Sequence, residues 1–347
     1  MAPQPRLRSI GTAVPPHILD QAEVRKYASA LFGERHDINR LLTIFENAGI
    51  RRRYSCVPID WYSHPHGWKD RTEIYLKSAV DLLEQVTISC LRDSDLSRDA
   101  IDAIVVVSTT GVATPSLDAL LVERLQLRRD IKRLPIFGLG CAGGVTGLAR
   151  AGDLARAEPG SNVLFLVVEL CALTFRRNDL DKSNLVATAL FGDGAAGAII
   201  SCSGDGPRLT AAGEYTWPHS LDIMGWDVEE DGLKARFARS IPSLVENDMA
   251  RIVAEFLMRN DLRLSDFNRF ACHPGGAKVL DALEMAFELK PGALVESRET
   301  LRDYGNMSAA TALFVLAGMD WRDKTKRTLV SALGPGFSAT FLVLEGA

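Results

Sequence analysis

Three stretches of this chain return at one fixed distance, and that limits its possible folds more than any other feature. Asp102-Ala-Ile-Val-Val-Val-Ser-Thr-Thr-Gly111 lies over Phe267-Asn-Arg-Phe-Ala-Cys-His-Pro-Gly-Gly276 at an offset of 165 (267 minus 102). The same offset lays Gly140-Cys141 on Gly305-Asn306, and Asn162–Leu170 on Arg327–Pro335. Three segments sharing one offset without a gap point to a duplicated α/β unit. The halves are taken as residues 1–210 and 211–347. Apolar, β-branched runs such as 101–108 and 162–169 read as buried strands. They alternate with stretches of helical spacing, which implies mostly parallel sheets covered on both faces. Two such units stack as a layered α-β-α-β-α sandwich with pseudo-twofold symmetry. Cys141 and Asn306 then open equivalent helices at the pseudo-axis. His273 ends the counterpart of the strand that carries Ser108.

Around this frame the pattern predicts a strand over 7–12 and a helix from Asp20 to about Ala48. A loop follows over Trp61–Trp68, with helices over Asp70–Cys90 and 116–126, the latter capped at Ser116. Residues 189–200 read as a loop entering a strand. The Gly-rich, polar stretch 203–232 reads as surface or cleft-covering structure.

Composition narrows the function classes. A net charge of -4 over 347 residues argues against nucleic acid as the main partner. The six cysteines (56, 90, 141, 171, 202, 272) form no C-x-x-C pair and no ligand-like spacing with histidine. They read as reduced thiols of a cytoplasmic protein with no structural zinc. No run reaches membrane-spanning length and the N-terminus has no apolar core of a signal peptide, so no membrane insertion is expected.

The chemistry sits at Leu139-Gly-Cys141-Ala-Gly-Gly144. An apolar run meets a tight glycine turn and then an Ala/Gly/Leu helix, so Cys141 lies near a helix N-terminus. Unpaired N–H groups and the helix dipole there favour an anion, which predicts a lowered thiol pKa. A cysteine nucleophile with a histidine in reach is the arrangement for acyl transfer through a thioester. Asn306 is neither acid nor base, but its NH₂ can donate to a developing oxyanion beside a histidine N–H. That pair suits a reaction through an enolate, such as decarboxylation of a malonyl thioester followed by carbon–carbon bond formation. Taken alone, Cys141 reads as a small core residue, His273 as a satisfied strand-end histidine and Asn306 as a helix cap. The shared offset is what brings them together.

Four motifs, Gly140-Cys-Ala-Gly-Gly144, Cys272-His-Pro-Gly-Gly276, Gly305-Asn-Met-Ser308 and Leu333-Gly-Pro-Gly-Phe337, resemble those of the type III polyketide synthases, the chalcone-synthase-like branch of the thiolase superfamily. The resemblance covers nearly the whole chain. It implies a homodimer of thiolase-fold subunits that takes an acyl-CoA starter and extends it with malonyl-CoA, with CoA thioesters as substrates and no bound cofactor. It carries the catalytic triad to Cys141, His273 and Asn306, and the gatekeeper phenylalanine to Phe191 in Leu-Phe-Gly-Asp-Gly. Cys171, Thr174, Ser308, Gly334 and Gly336 fall at the substrate cavity, and Trp226 at a position where the plant enzymes hold a small residue. The Arg51-Arg52-Arg53 cluster matches cations at the CoA entrance, and Arg51 is the one chosen by position. The plant members place a methionine from the partner subunit in the site; Thr114 stands at the matching position.

Pro58-Ile-Asp-Trp-Tyr62, Glu73-Ile-Tyr75 and Met224-Gly-Trp-Asp-Val228 resemble the bacterial alkylpyrone and alkylresorcinol synthases, which use long fatty acyl starters. The tetrahydroxynaphthalene synthases carry an extra cysteine where this chain has Thr109. Two other readings are open: an initiating ketoacyl carrier-protein synthase, which carries His-Gln-Ala-Asn where this chain has His273-Pro-Gly-Gly, and a silent acyl-CoA-binding partner. Delivery of the starter on CoA or on an acyl carrier protein is open as well.

Overall fold

The computed structural model describes residues 3–33, 38–179 and 181–346. Strand β1 (Arg6–Ala13) and a short β2 (His17–Asp20) lead into α1 (Gln21–Leu31). Asp20 starts that helix, its carboxylate accepting from the N–H groups of Ala22 (2.9 Å) and Glu23 (3.3 Å). The helix expected over 20–48 is two helices, α1 and α2 (Ile38–Asn47), and residues 34–37 between them lie outside the described residues. β3 (Arg52–Ser55) pairs with β2, and α3 (Trp68–Asp93) follows a 3₁₀ turn over Ile59–Ser63.

The N-terminal half continues with β4 (Ala103–Val107), α4 (Leu117–Arg124), β5 (Lys132–Ile136), α5 (Gly143–Ala157) and β6 (Asn162–Leu170). After β6 come a 3₁₀ turn over Cys171–Thr174, α6 (Lys182–Leu190) and β7 (Asp193–Ser201). Ala189 and Leu190 therefore close a helix, where a loop was expected. The C-terminal half opens with β8 (Arg208–Thr216) and the hairpin β9 (Met224–Glu229) and β10 (Gly232–Phe237). Then follow α7 (Ile241–Met258), β11 (Arg269–Cys272), α8 (Ala277–Ala286), α9 (Val295–Tyr304), α10 (Thr311–Ala317), β12 (Arg327–Gly334) and β13 (Ser338–Glu345).

The strands lie in the order β11-β12-β13-β8-β1-β7-β6-β4-β5. The two halves meet at β8 and β1, where Arg6↔Arg208 is the pairing. Reading outward from that seam, β13 answers β7, β12 answers β6 and β11 answers β4, while β5 has no counterpart. The offset of 165 maps β6 onto β12 from their first residues, Asn162 and Arg327. Two expectations need correction. The sheet is mixed: β4–β5, β4–β6 and β11–β12 are parallel, and the other pairings are antiparallel. The three-residue link 335–337 between β12 and β13 shows why, since so short a connection can only reverse the chain. The stretch 203–232 is not wholly surface either, because β8 runs inside the sheet beside β13.

The layers follow from the packing. α5 packs on β4, β6 and β7 on one side and on β8, β12 and β13 on the other, so it lies in a middle layer with α10. α3 and α4 cover the outer face of the N-terminal strands with Leu83, Val86 and Leu121 on Leu164 and Leu166. α7 and α8 cover the C-terminal strands with Val253 and Leu280 on Leu329 and Phe341. A methyl group on Gly144 would stand 2.1 Å from the Ala309 carbonyl oxygen. These positions are themselves 165 apart, so the two equivalent helix starts cross at the pseudo-axis in near backbone contact. Among the described residues no helix is long and apolar enough to cross a membrane.

Candidate active site

Cys141 sits in a 3₁₀ turn, Gly140–Ala142, that winds directly into α5. Gly140 adopts φ +46°, a left-handed conformation that suits glycine, and a Cβ there would meet Pro335 Cδ at 2.6 Å. Its N–H donates to the Thr109 hydroxyl at 3.1 Å. A Cβ on Gly334 would lie 2.6 Å from Ala142 Cβ. The 333–337 segment is thus pressed onto the nucleophile turn, and Gly336, at φ +80°, reverses the chain into β13. Gly334 and Gly336 shape that turn.

Asn306 follows α9 through Gly305 at φ +71° and is clamped on three sides. Its backbone bridges to Phe191: its N–H donates to Leu190 O (2.8 Å) and its carbonyl accepts from Gly192 (3.1 Å). Its Oδ1 accepts from the Ser308 N–H (2.8 Å) and its Nδ2 donates to Gly275 O (3.3 Å). The amide is fixed with one N–H left over. Asn306 and the Ser308 hydroxyl both reach the Cys141 thiol. His273 leaves β11 beside the Gly275 turn, buried, with neither ring nitrogen hydrogen-bonded among the described residues. A buried imidazole without partners is costly, which marks it as kept for a ligand or a proton.

Electrostatics overturn one expectation. Burial pushes the Cys141 thiol up to about 12, outweighing Ser308 and Asn306, which pull it down. Burial also drives His273 down to about 4. Both groups are therefore neutral near pH 7. Burial likewise raises Glu169, at the end of β6, to about 8. Its Oε2 accepts from the Thr109 N–H (3.1 Å) and the Thr110 hydroxyl (2.8 Å), and its ionised form would raise the Cys141 thiol further. The sequence reading missed Glu169 as a site residue; a single carboxylate closing the apolar run 163–168 was the available signal.

An apolar cavity opens beside this centre. Cys171, Thr174 and Phe191 line its inner end, and Leu19, Val24, Ala28, Leu31 and Ile59 its outer part. Cys171 is the lining residue nearest this centre by its electrostatics, since the charge of Cys141 raises its thiol, while Cys141, His273 and Asn306 are not themselves part of the lining. The Thr174 hydroxyl is used up on Cys171 O at 2.7 Å. Trp226 lies behind Phe191, with ring centres 5.7 Å apart, and Phe237 packs at 5.6 Å. Asp193 holds the wall together, accepting from Ala172 N (2.7 Å) and Cys56 N (2.9 Å).

The arginine cluster does not act as one. Arg53 is buried and donates to the carbonyls of Thr188 and Ala189, capping the C-terminus of α6. Arg51 is exposed and paired with Asp303 at 2.6 Å, and Arg52 lies 3.6 Å from the same carboxylate. The hydrogen bonds of Asn306 go to Gly275 and Ser308, and those of the arginines go to α6 and Asp303. Thr114 is exposed in the loop after β4.

Residues 3–204 match the model of the chalcone and stilbene synthases, N-terminal domain, and residues 208–346 that of the C-terminal domain. The chain is 37% identical to a putative chalcone synthase of Bacillus subtilis, over 97% of each protein. It is 36% identical to a 1,3,6,8-tetrahydroxynaphthalene synthase of Streptomyces peucetius, over 97% of this chain and 92% of that one. The crystal structure of the corresponding Streptomyces coelicolor enzyme superposes with a TM-score of 0.93 at 30% identity, covering 99% of this chain and 100% of that one.

Proposed function

This chain belongs to the chalcone and stilbene synthase family, the type III polyketide synthases, and on that premise we propose that it primes Cys141 with a long-chain fatty acyl group. Enzymes of this family are decarboxylative condensing acyltransferases that use malonyl-CoA, and they are typically dimeric. The observation that carries the choice of starter is the apolar cavity between Phe191 and α1, which has Cys171, Thr174 and Phe191 in its wall and offers aliphatic side chains to an acyl chain.

In the proposed reaction His273 takes the thiol proton, the sulfur attacks the starter thioester, and CoA leaves as its thiol with that proton. The malonyl carboxylate then departs as CO₂. The enolate oxygen left behind is held by the free N–H of Asn306 and by His273. Its carbon attacks the acyl group on Cys141, forming the C–C bond as the C–S bond breaks and the thiolate returns. Repetition and ring closure yield an alkylpyrone or alkylresorcinol. Thr109, where the tetrahydroxynaphthalene synthases carry a cysteine, anchors Gly140 and supports an assignment away from that product. Arg51 is proposed to meet the CoA phosphates once released from Asp303.

The proposed dimer interface is the β5 edge: β5 is exposed along most of its length, with Phe137 and Val112 exposed beside it. Sedimentation of Phe137→Glu tests this, and a dimer unchanged in that variant speaks against it. The function is tested by mass spectrometry of products from malonyl-CoA with acetyl- to stearoyl-CoA, Cys141→Ala serving as the blank. Alkylpyrones or alkylresorcinols from the long starters are expected. Products from short or aromatic starters alone would discard the lipid reading.

A further inference from the structure

We propose that Tyr27 sets the longest starter chain the protein accepts, by stapling α1 to the 59–63 turn across the outer end of the apolar cavity. This rests on the acyl-chamber reading above. One face of α1, with Val24, Tyr27, Ala28 and Leu31, forms the outer wall, and Ile59 and Tyr62 stand opposite. The Tyr27 ring lines the cavity while its hydroxyl reaches the surface and donates to Asp60 Oδ1 at 2.6 Å. Tyr27 therefore spans the wall from chamber to solvent and closes the gap between the two elements.

The base of α1 is held differently. Gln21 is buried, its N–H donates to Arg51 O (2.9 Å), and its amide donates to Ala189 O (3.0 Å) and Phe45 O (3.3 Å). Arg25 pairs with Glu46 of α2 at 3.4 Å, which ties α1 to α2 and not to the 59–63 turn. The helix is thus anchored at Gln21, packed on α2 through Val24 and Ala28, and stapled to the 59–63 turn at Tyr27, nearly two turns after Gln21. The open space inside is about 50 Å³, room for about four water-sized spheres and so for the first methylenes of a chain. A longer chain needs the outer end of α1 to swing away from Ile59 and Asp60. The Tyr27–Asp60 hydrogen bond opposes that movement, so it counts against chains that reach the staple and not against those that stop short of it.

The test is the rate of Cys141 acylation, read by intact-protein mass from butyryl-, octanoyl-, lauroyl-, palmitoyl- and stearoyl-CoA. Tyr27→Phe keeps the ring and loses the bond; Asp60→Ala loses the acceptor; Asp60→Asn keeps an acceptor oxygen; Ala28→Val narrows the chamber from the same helix face. Tyr27→Phe and Asp60→Ala are expected to raise the stearoyl-to-butyryl rate ratio by about fivefold, the weight of one hydrogen bond. Asp60→Asn should stay near wild type, and Ala28→Val should lower the ratio. A graded wild-type profile with the same ratio in every folded variant overturns the staple and leaves the chamber standing. Wild type and variants that all load butyryl alone overturn both.

Discussion

The turn that opens α5 and the turn that precedes α10 stand at equivalent places in the two halves and differ in shape and content: Gly143 has φ -58° where its counterpart Ser308 has φ +46°. Gly140-Cys141 and Gly305-Asn306 both use a glycine at positive φ to start a helix at the pseudo-axis, and their helices cross at Gly144 and Ala309. One carries a nucleophile, the other a fixed hydrogen-bond donor. The next connection differs more. Between β12 and β13 the chain spends residues 335–337; between β6 and β7 it spends 171–192, which hold Cys171, Thr174, α6 and Phe191. The duplicated part supplies the proposed reacting groups, and the part present in one half alone supplies wall residues of the apolar cavity.

This division can be broken experimentally. Cys141→Ala should lower condensation by more than about a thousandfold, with an unchanged melting temperature. Full condensing activity in that variant would remove Cys141 from the chemistry. Asn306→Ala should slow malonyl-CoA decarboxylation by about 10²–10³-fold and starter loading by less. Equal losses in the two half-reactions would deny Asn306 an enolate role. In the inserted wall, Cys171→Leu should shift the preferred starter to shorter chains by about tenfold or more, with malonyl decarboxylation retained. A unaltered starter profile would mean that the chain runs elsewhere.

Stability sharpens the same contrast. Gly144→Ala puts a methyl against the Ala309 carbonyl at the crossing and should cost about 1–3 kcal/mol or more by overpacking. Gly160→Ala, where nothing lies within 4 Å of the added carbon, should leave the melting temperature in place. Equal melting temperatures for both variants would mean that the backbones at the crossing yield to an added methyl group. A pH dependence belongs to Glu169. Its carboxyl is raised from 4.5 to about 8 by burial, so between those values the native state keeps a proton that the unfolded chain has lost. Wild-type stability from this group therefore falls as pH rises through that window. Glu169→Gln lacks that slope, so its melting temperature relative to wild type should climb from the acid to the alkaline end. A flat difference would show the carboxyl to be ionised throughout.

Much of the site was legible because duplication leaves a mark in one dimension. The offset of 165 joined Cys141, Asn306 and His273 without any contact being known, and the structure indeed sets Asn306 beside the thiol. Phe191 was found from its motif, and the fold shows why it is held: its neighbours on either side hydrogen-bond across to Asn306. What escaped were residues whose meaning depends on their surroundings. Arg53 looks like its neighbours Arg51 and Arg52 in sequence, yet it caps α6 inside the protein while they meet Asp303 outside. Glu169 ends an ordinary strand, and nothing local says that Thr109 and Thr110 will arrive beneath it.

Repeat spacing, glycine turns and apolar runs determined the duplicated α/β architecture and singled out the proposed reacting groups, because both are written in local backbone preferences and their periodicity. Tertiary structure alone decided the protonation of Cys141 and His273, the parallel or antiparallel sense of each strand pair, and the chamber between Phe191 and α1. Those depend on desolvation and on space left between elements far apart in the chain. Burial lifts the thiol to about 12 despite its place at a helix start, and no pattern of neighbours along the chain encodes how completely water will be excluded.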